Sequence, residues 1–378
     1  MITNGIEYVD TVVVGGGQAG LVMGYELARQ GRDFVILDAA RRVGDAWRER
    51  WDSLEVFTAA RFDGLPGMPF PGDPLRFPTK DEVADFLEDY ARAFDLPVRS
   101  GVRVDRVGRA GDRFAITAGL LRWESANVVV ATGGCQSPKL PEFADQLDAR
   151  IVQLHSSEYR NPSQLPEGPA LIVGMGNSGA EIARDVAATH PTMIAGTPGA
   201  QAPVRPTRTT ARLVFPVLRF AALHVVTLRT PVGRAVSAKL STAPLVRTRI
   251  SDLVELGVQV LPRIAGTSGG RPVCADGTVC TASSVIWCTG YRDEFDWIDL
   301  PAFDERGEPI HRRGVVESVP GLYFLGLEFL YALASATIPG VGRDARHLAK
   351  RMPRPVAVPF PEEAGTGARE PAGVVEGR

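Results

Sequence analysis

The stretch Thr11-Val12-Val13-Val14-Gly15-Gly16-Gly17-Gln18-Ala19-Gly20 decides the fold. A β-branched run that stops at three glycines and passes into Leu21-Val22-Met23 reads as strand, tight turn and helix. Gly15 makes the turn out of the strand, Gly17 lets the backbone approach a pyrophosphate, and Gly20 permits close packing of helix on strand. Gly24 and Gly31 extend the spacing, and the helix from Gln18 points its positive end at the diphosphate. Residues 33–37 read as the next strand, which ends at Asp38. An acid there accepts hydrogen bonds from a ribose diol and repels a 2′-phosphate, so this unit takes FAD or NAD and not NADP; a solvated acid at a strand end is the ordinary alternative.

The signature returns as Gly174-Met175-Gly176-Asn177-Ser178-Gly179, after the apolar run 170–173. Asn177 and Ser178 add polar contacts for a diphosphate. No acid closes the following strand, Met193-Ile194-Ala195-Gly196-Thr197, and that absence admits NADPH. Arg205 and Arg208 follow, either to meet a 2′-phosphate or as surface arginines; Glu181 also has an ordinary reading, in the first turn of its helix. Two dinucleotide sites in one chain imply a hydride passed from one cofactor to the other.

Other segments repeat the plan. The run 127–131 stops at Thr132-Gly133-Gly134, and 284–287 stops at Cys288-Thr289-Gly290-Tyr291, so both halves pair a glycine fingerprint with a strand ending in Thr-Gly. Residues 45–78 form a loop-rich excursion. Thr79 with Glu82 makes a capping box for a helix reaching about Phe94, and 102–107 with 113–117 forms a hairpin. Residues 321–325 read as a strand and 341–350 as a helix entered through Pro339-Gly340-Val341-Gly342. The N-terminus of that helix could face the electron-rich edge of a reduced flavin, or the glycines could be a plain turn. Beyond residue 353, Pro, Glu, Gly and Ala dominate and disorder is expected.

Composition narrows the partners. With 378 residues the chain is long enough for two cores. Its 42 basic and 44 acidic residues leave a net charge of -2, so no broad field favours nucleic acid or an anionic membrane, and small molecules are the default partners. The four cysteines show no CxxC spacing and the N-terminus lacks a signal-peptide layout, which points to the cytoplasm. Residues 213–228, the most apolar long stretch, are broken by Pro216, Arg219 and His224 and are too short for a membrane span; a buried or cavity-facing helix is expected over one lying on a membrane surface.

Taken in order, Gly44-x-x-Trp47 with Arg50-Trp51, Leu65-Pro66-Gly67, Pro78-Thr79-Lys80, Ala131-Thr132-Gly133, Gly176-Asn177-Ser178-Gly179, Cys288-Thr289-Gly290-Tyr291 and Gly340-Val341-Gly342-Arg343-Asp344-Ala345 resemble the class B flavoprotein monooxygenases, the flavin-containing and Baeyer-Villiger monooxygenases, in their compact bacterial form. The match runs from about residue 10 to 350. The resemblance implies an α/β fold of two Rossmann-like dinucleotide-binding domains, the NADPH domain inserted into the FAD domain. The expected division is 1–165 for the first FAD part, 166–284 for the NADPH domain with its apolar insertion, 285–352 for the FAD return and 353–378 for the tail. It also implies Trp47 along the flavin, Val104 facing the adenine through its backbone, and Gly326 approaching the ribityl chain. His155 with Tyr159 fits half of the family's interdomain linker motif; Ala149 and Ile151 depart from the other half, and a histidine satisfied by linker backbone is the alternative.

The activity so implied is NADPH-driven reduction of FAD, addition of dioxygen at flavin C4a to give a hydroperoxyflavin, and transfer of one oxygen atom to a small, moderately apolar amine, sulfide or ketone; NADH remains possible. Where many amine and sulfur oxygenases place an Asn, this chain reads Phe57-Thr58-Ala59-Ala60-Arg61, making Thr58 and Arg61 the candidate polar groups near C4a. No metal site is expected. A reductase or oxidase without productive oxygenation, and a flavin-binding protein without catalysis, are the competing readings. Disulfide reduction is disfavoured because Cys274 and Cys280, the nearest pair, lie away from both fingerprints.

Overall fold

Hydrogen bonding sorts most strands into two large sheets. The computed structural model describes residues 2–3, 5–239 and 244–353, so the expected disorder beyond residue 353 falls outside the described residues. The first sheet runs Val98–Ser100, Phe34–Asp38, Ile6–Val14, Leu121–Val130, Arg113–Ala118, Arg106–Ala110. Leu322–Phe324 joins it in parallel beside Val128–Val130. Val12, Val13, Ile36, Val128, Val129 and Phe324 are all fully buried, as the continuous apolar runs of a parallel sheet covered on both faces require. The chain leaves this sheet after Val130 and comes back with Leu322, which is the nested arrangement expected.

The second sheet is wholly parallel, in the order Gln259–Leu261, Thr192–Ala195, Ala170–Val173, Ser284–Trp287, Val152–His155. Both edges of the expected division therefore shift. Val152–His155 belongs to this sheet although it precedes residue 166, and Ser284–Trp287 is an inner strand of it although 285 was expected to open the return. The first shift was hidden because a four-residue strand containing Gln153 and His155 has no apolar run. The hairpin also moves, to Arg106–Ala110 with Arg113–Ala118.

Helices Arg208–Leu213, Phe215–Phe220 and Pro231–Lys239, with a π-helical turn at Ala221–Val225, form an excursion of the nested unit that lies back on the first. Arg208 pairs with Asp73 at 2.5 Å, and the Phe215 ring meets Phe77 edge-on at 6.3 Å. Leu228 N–H donates to the Tyr331 carbonyl at 2.9 Å and Leu333 N–H to that of Val226 at 3.0 Å. Only part of this segment is covered. Leu213, Val217 and Phe220 are 66%, 67% and 60% exposed, which corrects the expectation of a buried or cavity-facing helix: the helix breaks at Val214 and Pro216, and the short pieces rest on the first unit by one side.

Candidate active site

The two glycine turns are built alike, atom for atom. Val14 pairs with Leu37 and Val173 with Ala195, and the next residue, Gly15 or Gly174, donates its N–H to that partner's carbonyl at 2.8 Å in both. Both glycines have left-handed φ, +109° and +118°. A Cβ on Gly15 would stand 2.5 Å from the Ala131 carbonyl oxygen, and one on Gly174 would stand 2.2 Å from that of Cys288. The two strand ends, Ala131-Thr132-Gly133 and Cys288-Thr289-Gly290, are thus what the turns pack against. Gly20 and Gly179 face the carbonyls of Gly15 and Gly174 so closely that a Cβ would come within 1.8 and 1.9 Å. Gly17 and Gly176 behave oppositely, with nothing within 4 Å of a Cβ. The open space sits where the backbone would meet a diphosphate.

Helix capping supplies an independent test of fit. Lys80–Ala93 is closed by its own capping box, Thr79 with Glu82. The two fingerprint helices, Gln18–Ala28 and Asn177–Val186, start at Gly17 and Gly176 with no side-chain cap and no acid in the first turn. Their leading N–H groups suit an anion from outside the chain.

One position separates the two turns. Asp38 follows Leu37, and its carboxylate accepts the N–H of Gly16 and of Ala40, both at 2.8 Å. A Cβ on Gly16 would strike that carboxylate at 2.4 Å. In the second unit the corresponding residues are exchanged: Gly196 follows Ala195, and buried Met175 stands where Gly16 would be. A carboxylate is thus built into the first turn, and in the second its place is taken by Gly196 beside Met175.

Around the first turn the chain brings distant segments together. Trp47 Nε1 lies 3.4 Å from Gln18 Oε1, and Gln18 Nε2 donates to the Ala336 carbonyl at 3.2 Å, just ahead of helix Ile338–Arg351. Gly340 in that helix would clash with the Ala334 carbonyl at 1.8 Å if it bore a Cβ, and Gly342 with Pro66 Cγ at 2.7 Å. Gly326, φ +84°, lies against Ala19. Val104 packs on the core while its N–H and carbonyl have no hydrogen-bond partner among the described residues.

Thr58 and Arg61 are placed differently from each other. The Arg61 guanidinium is exposed and lies over the Phe62 ring, 5.0 Å from its centroid. The Thr58 hydroxyl donates to Asp63 Oδ1 at 2.5 Å. Asp63, missed in the sequence, is fully buried with Oδ2 unpartnered. Burial pushes its carboxyl up to about 7, against the opposing Thr58 hydrogen bond. Two residues after exposed Arg61, Asp63 carries no local signal of burial.

His155 ends an edge strand of the second sheet. Ser157 N–H donates to Nδ1 at 3.2 Å, so Nε2 carries the proton and donates to the Gly290 carbonyl at 3.1 Å. Burial lowers its pKa, with the Gly290 carbonyl pulling the other way, and its ring meets Tyr291 edge-on. Arg50 Nη1 donates to the Tyr291 hydroxyl at 2.8 Å. Gln136 donates to Thr132 Oγ1 at 3.0 Å, and the Thr289 hydroxyl donates to the Lys139 carbonyl. His155 therefore positions the Thr289-Gly290 strand end through one carbonyl.

At the second site two of the expected side chains have partners within the chain. The Asn177 side chain is taken up by the Pro244 carbonyl and the Val246 N–H, both at 3.0 Å, and fastens residues 244–246. Arg205 is paired with Asp252 at 2.6 Å, which balances its charge. Ser178 makes no side-chain hydrogen bond among the described residues. Glu181, half-buried, is pushed up to about 7 by burial, with Arg247 opposing and Glu55 reinforcing. Cys274 and Cys280 come together, Sγ to Sγ 3.6 Å, as buried free thiols across a turn. Cys280 borders Pro169 and Pro191, at the strand ends opposite the fingerprints.

Comparison with known proteins agrees with this construction. Residues 12–212 match the family model described as pyridine nucleotide-disulphide oxidoreductase. A flavin-containing monooxygenase from Stenotrophomonas maltophilia superposes with a TM-score of 0.74 at 30% identity, covering 91% of this chain and 98% of that one. An uncharacterized oxidoreductase CzcO-like of Geobacillus kaustophilus is 40% identical over 90% of this chain and 97% of its own length. The indole-3-pyruvate monooxygenase YUCCA1 of Oryza sativa is 32% identical over 46% of this chain and 44% of its own. With its paired glycine turns and nested parallel sheets, the chain belongs to the class B flavin monooxygenases and is an oxidoreductase that uses flavin and nicotinamide cofactors.

Proposed function

We propose that the flavin is FAD, held by the Gly15–Gly20 turn and Asp38, that the reductant is NADPH, held by the Gly174–Gly179 turn, and that one atom of dioxygen passes by way of flavin C4a to a small, moderately apolar amine, sulfide or ketone. One observation carries the assignment of the two sites: Asp38 stands where the second unit has Gly196. A run of contacts supports transfer between them. Trp47 meets Gln18 at the first helix start, and Arg50, three residues on, holds Tyr291 beside the Thr289-Gly290 end of the second.

When bound, FAD supplies the hydride acceptor and the oxygen chemistry. This chain's residues orient and dry the site. Thr58 and the buried Asp63 form a donor–acceptor pair in the loop that Pro66 pins to Gly342, and burial, which pushes the carboxyl up to about 7, suits it to holding a proton there.

Oxygen uptake driven by NADPH, followed by catalase, tests the reading. With an accepted member of an amine, sulfide and ketone panel, catalase returns little oxygen and the product carries label from ¹⁸O₂. Return of half the oxygen consumed with every member would overturn it in favour of an oxidase.

A further inference from the structure

The excursion that covers the first unit carries basic residues and no acid of its own. Residues 186–251 hold nine of the chain's 42 basic residues and none of its 44 acidic residues, a local excess that the near-neutral total conceals. Within it an apolar stripe is exposed along the chain: Leu213 at the end of one helix, Val217 and Phe220 about one turn apart on the next, and Leu218, Val225, Leu228 and Val232 beside them in sequence. Arg212, Arg219, Arg229 and Arg234 of this segment are exposed, and among the described residues none has a carboxylate within 4.0 Å; the guanidiniums of Arg219 and Arg229 lie over the Phe62 and Tyr331 rings, and Arg234 donates to the Leu228 and Arg229 carbonyls. Arg205 and Arg208 by contrast are paired, with Asp252 and Asp73.

We infer that this face docks on an anionic lipid surface, the apolar stripe entering the headgroup boundary and the arginines reaching to lipid phosphates. Charge selects the occupant. A second copy meeting this patch across a two-fold axis would set arginine against arginine with no acid in the segment to offset them. A nucleic acid would satisfy the arginines and leave the apolar stripe in water. An anionic bilayer satisfies both. The segment is anchored on its other side, through Leu228 to Tyr331 and Leu333 to Val226, so the exposed stripe is presented without unfolding. Docking there would set the cover of the candidate active site against a source of apolar substrate.

Co-sedimentation of the full chain with vesicles tests the inference independently of any cofactor. The chain should pellet with vesicles of equal parts phosphatidylcholine and phosphatidylglycerol, be released by salt, and stay in solution with phosphatidylcholine alone. Replacing Arg212, Arg219 and Arg234 together by Gln should weaken binding by about 100-fold, from roughly tenfold or less for each arginine near such a surface. The triple change Leu213→Ser, Val217→Ser, Phe220→Ser should also weaken it, with the melting temperature of both variants kept near that of the parent. No pelleting with the anionic vesicles overturns the inference, as does unchanged binding by the arginine variant. A parent dimer that the serine variant turns into monomers also overturns it, assigning the face to a second copy.

Discussion

Gly176→Val separates binding from folding at the second turn. Gly176 has φ -81° and ψ -176°, an extended conformation that β-branched residues favour, and a Cβ there meets nothing within 4 Å. The fold should accept the change, with a melting temperature close to the parent's. The valine would occupy the space that a diphosphate needs beside the uncapped N–H groups of helix Asn177–Val186. Losing two charge-assisted hydrogen bonds there costs about 3–6 kcal/mol, which is a rise in Kd of about 10² to 10⁴. Gly179→Ala supplies the contrast, since its Cβ would lie 1.9 Å from the Gly174 carbonyl oxygen and backbone must move. It should lose about 1–3 kcal/mol of stability or more. The assay is titration of NADPH into protein whose flavin content is measured by absorbance. Gly176→Val that binds NADPH within tenfold of the parent, or that loses its flavin instead, refutes the reasoning.

Three further outcomes follow from the same geometry. Asp38→Ala should emerge from purification depleted of flavin, because it removes the ribose acceptor and leaves the N–H groups of Gly16 and Ala40 without one; flavin absorbance relative to protein absorbance reads this directly. The double change Met175→Gly, Gly196→Asp transplants the first unit's arrangement into the second and should raise KM for NADPH at least about tenfold over that for NADH, since an acid now faces the 2′-phosphate. Asp63 has a folded pKa raised to about 7 from 3.8, so the stability it contributes is complete below the unfolded value and is lost as pH climbs through about 7. The loss is on the order of 4 kcal/mol. Urea midpoints at about pH 5 and about pH 8 should therefore differ more for the parent than for Asp63→Asn, whose side chain does not titrate.

The parts of this molecule that were readable in its sequence are those decided within a few residues. Gly15, Gly20, Gly174 and Gly179 are glycine for local steric reasons, and Thr79 with Glu82 closes a helix over a single turn. Asp38 is legible for the same reason, as it ends a strand whose register the turn fixes. Long-range partners decided the rest. Val152–His155 becomes a strand only because Ser284–Trp287 lies beside it, and Asn177 turns to Pro244 and Val246, nearly seventy residues away. The excursion between residues 208 and 239 reads as apolar whether its side chains face a core or the outside. Asp63 gives no local sign of burial, since exposed Arg61 stands two residues before it.

The most direct measurement of the central claim is rapid mixing of the NADPH-reduced protein with oxygenated buffer while the flavin spectrum is followed. The account predicts an intermediate distinct from both reduced and oxidised flavin, whose decay quickens when an accepted substrate is added. A single-step return to oxidised flavin, unaffected by any member of the panel and accompanied by stoichiometric hydrogen peroxide, would contradict it.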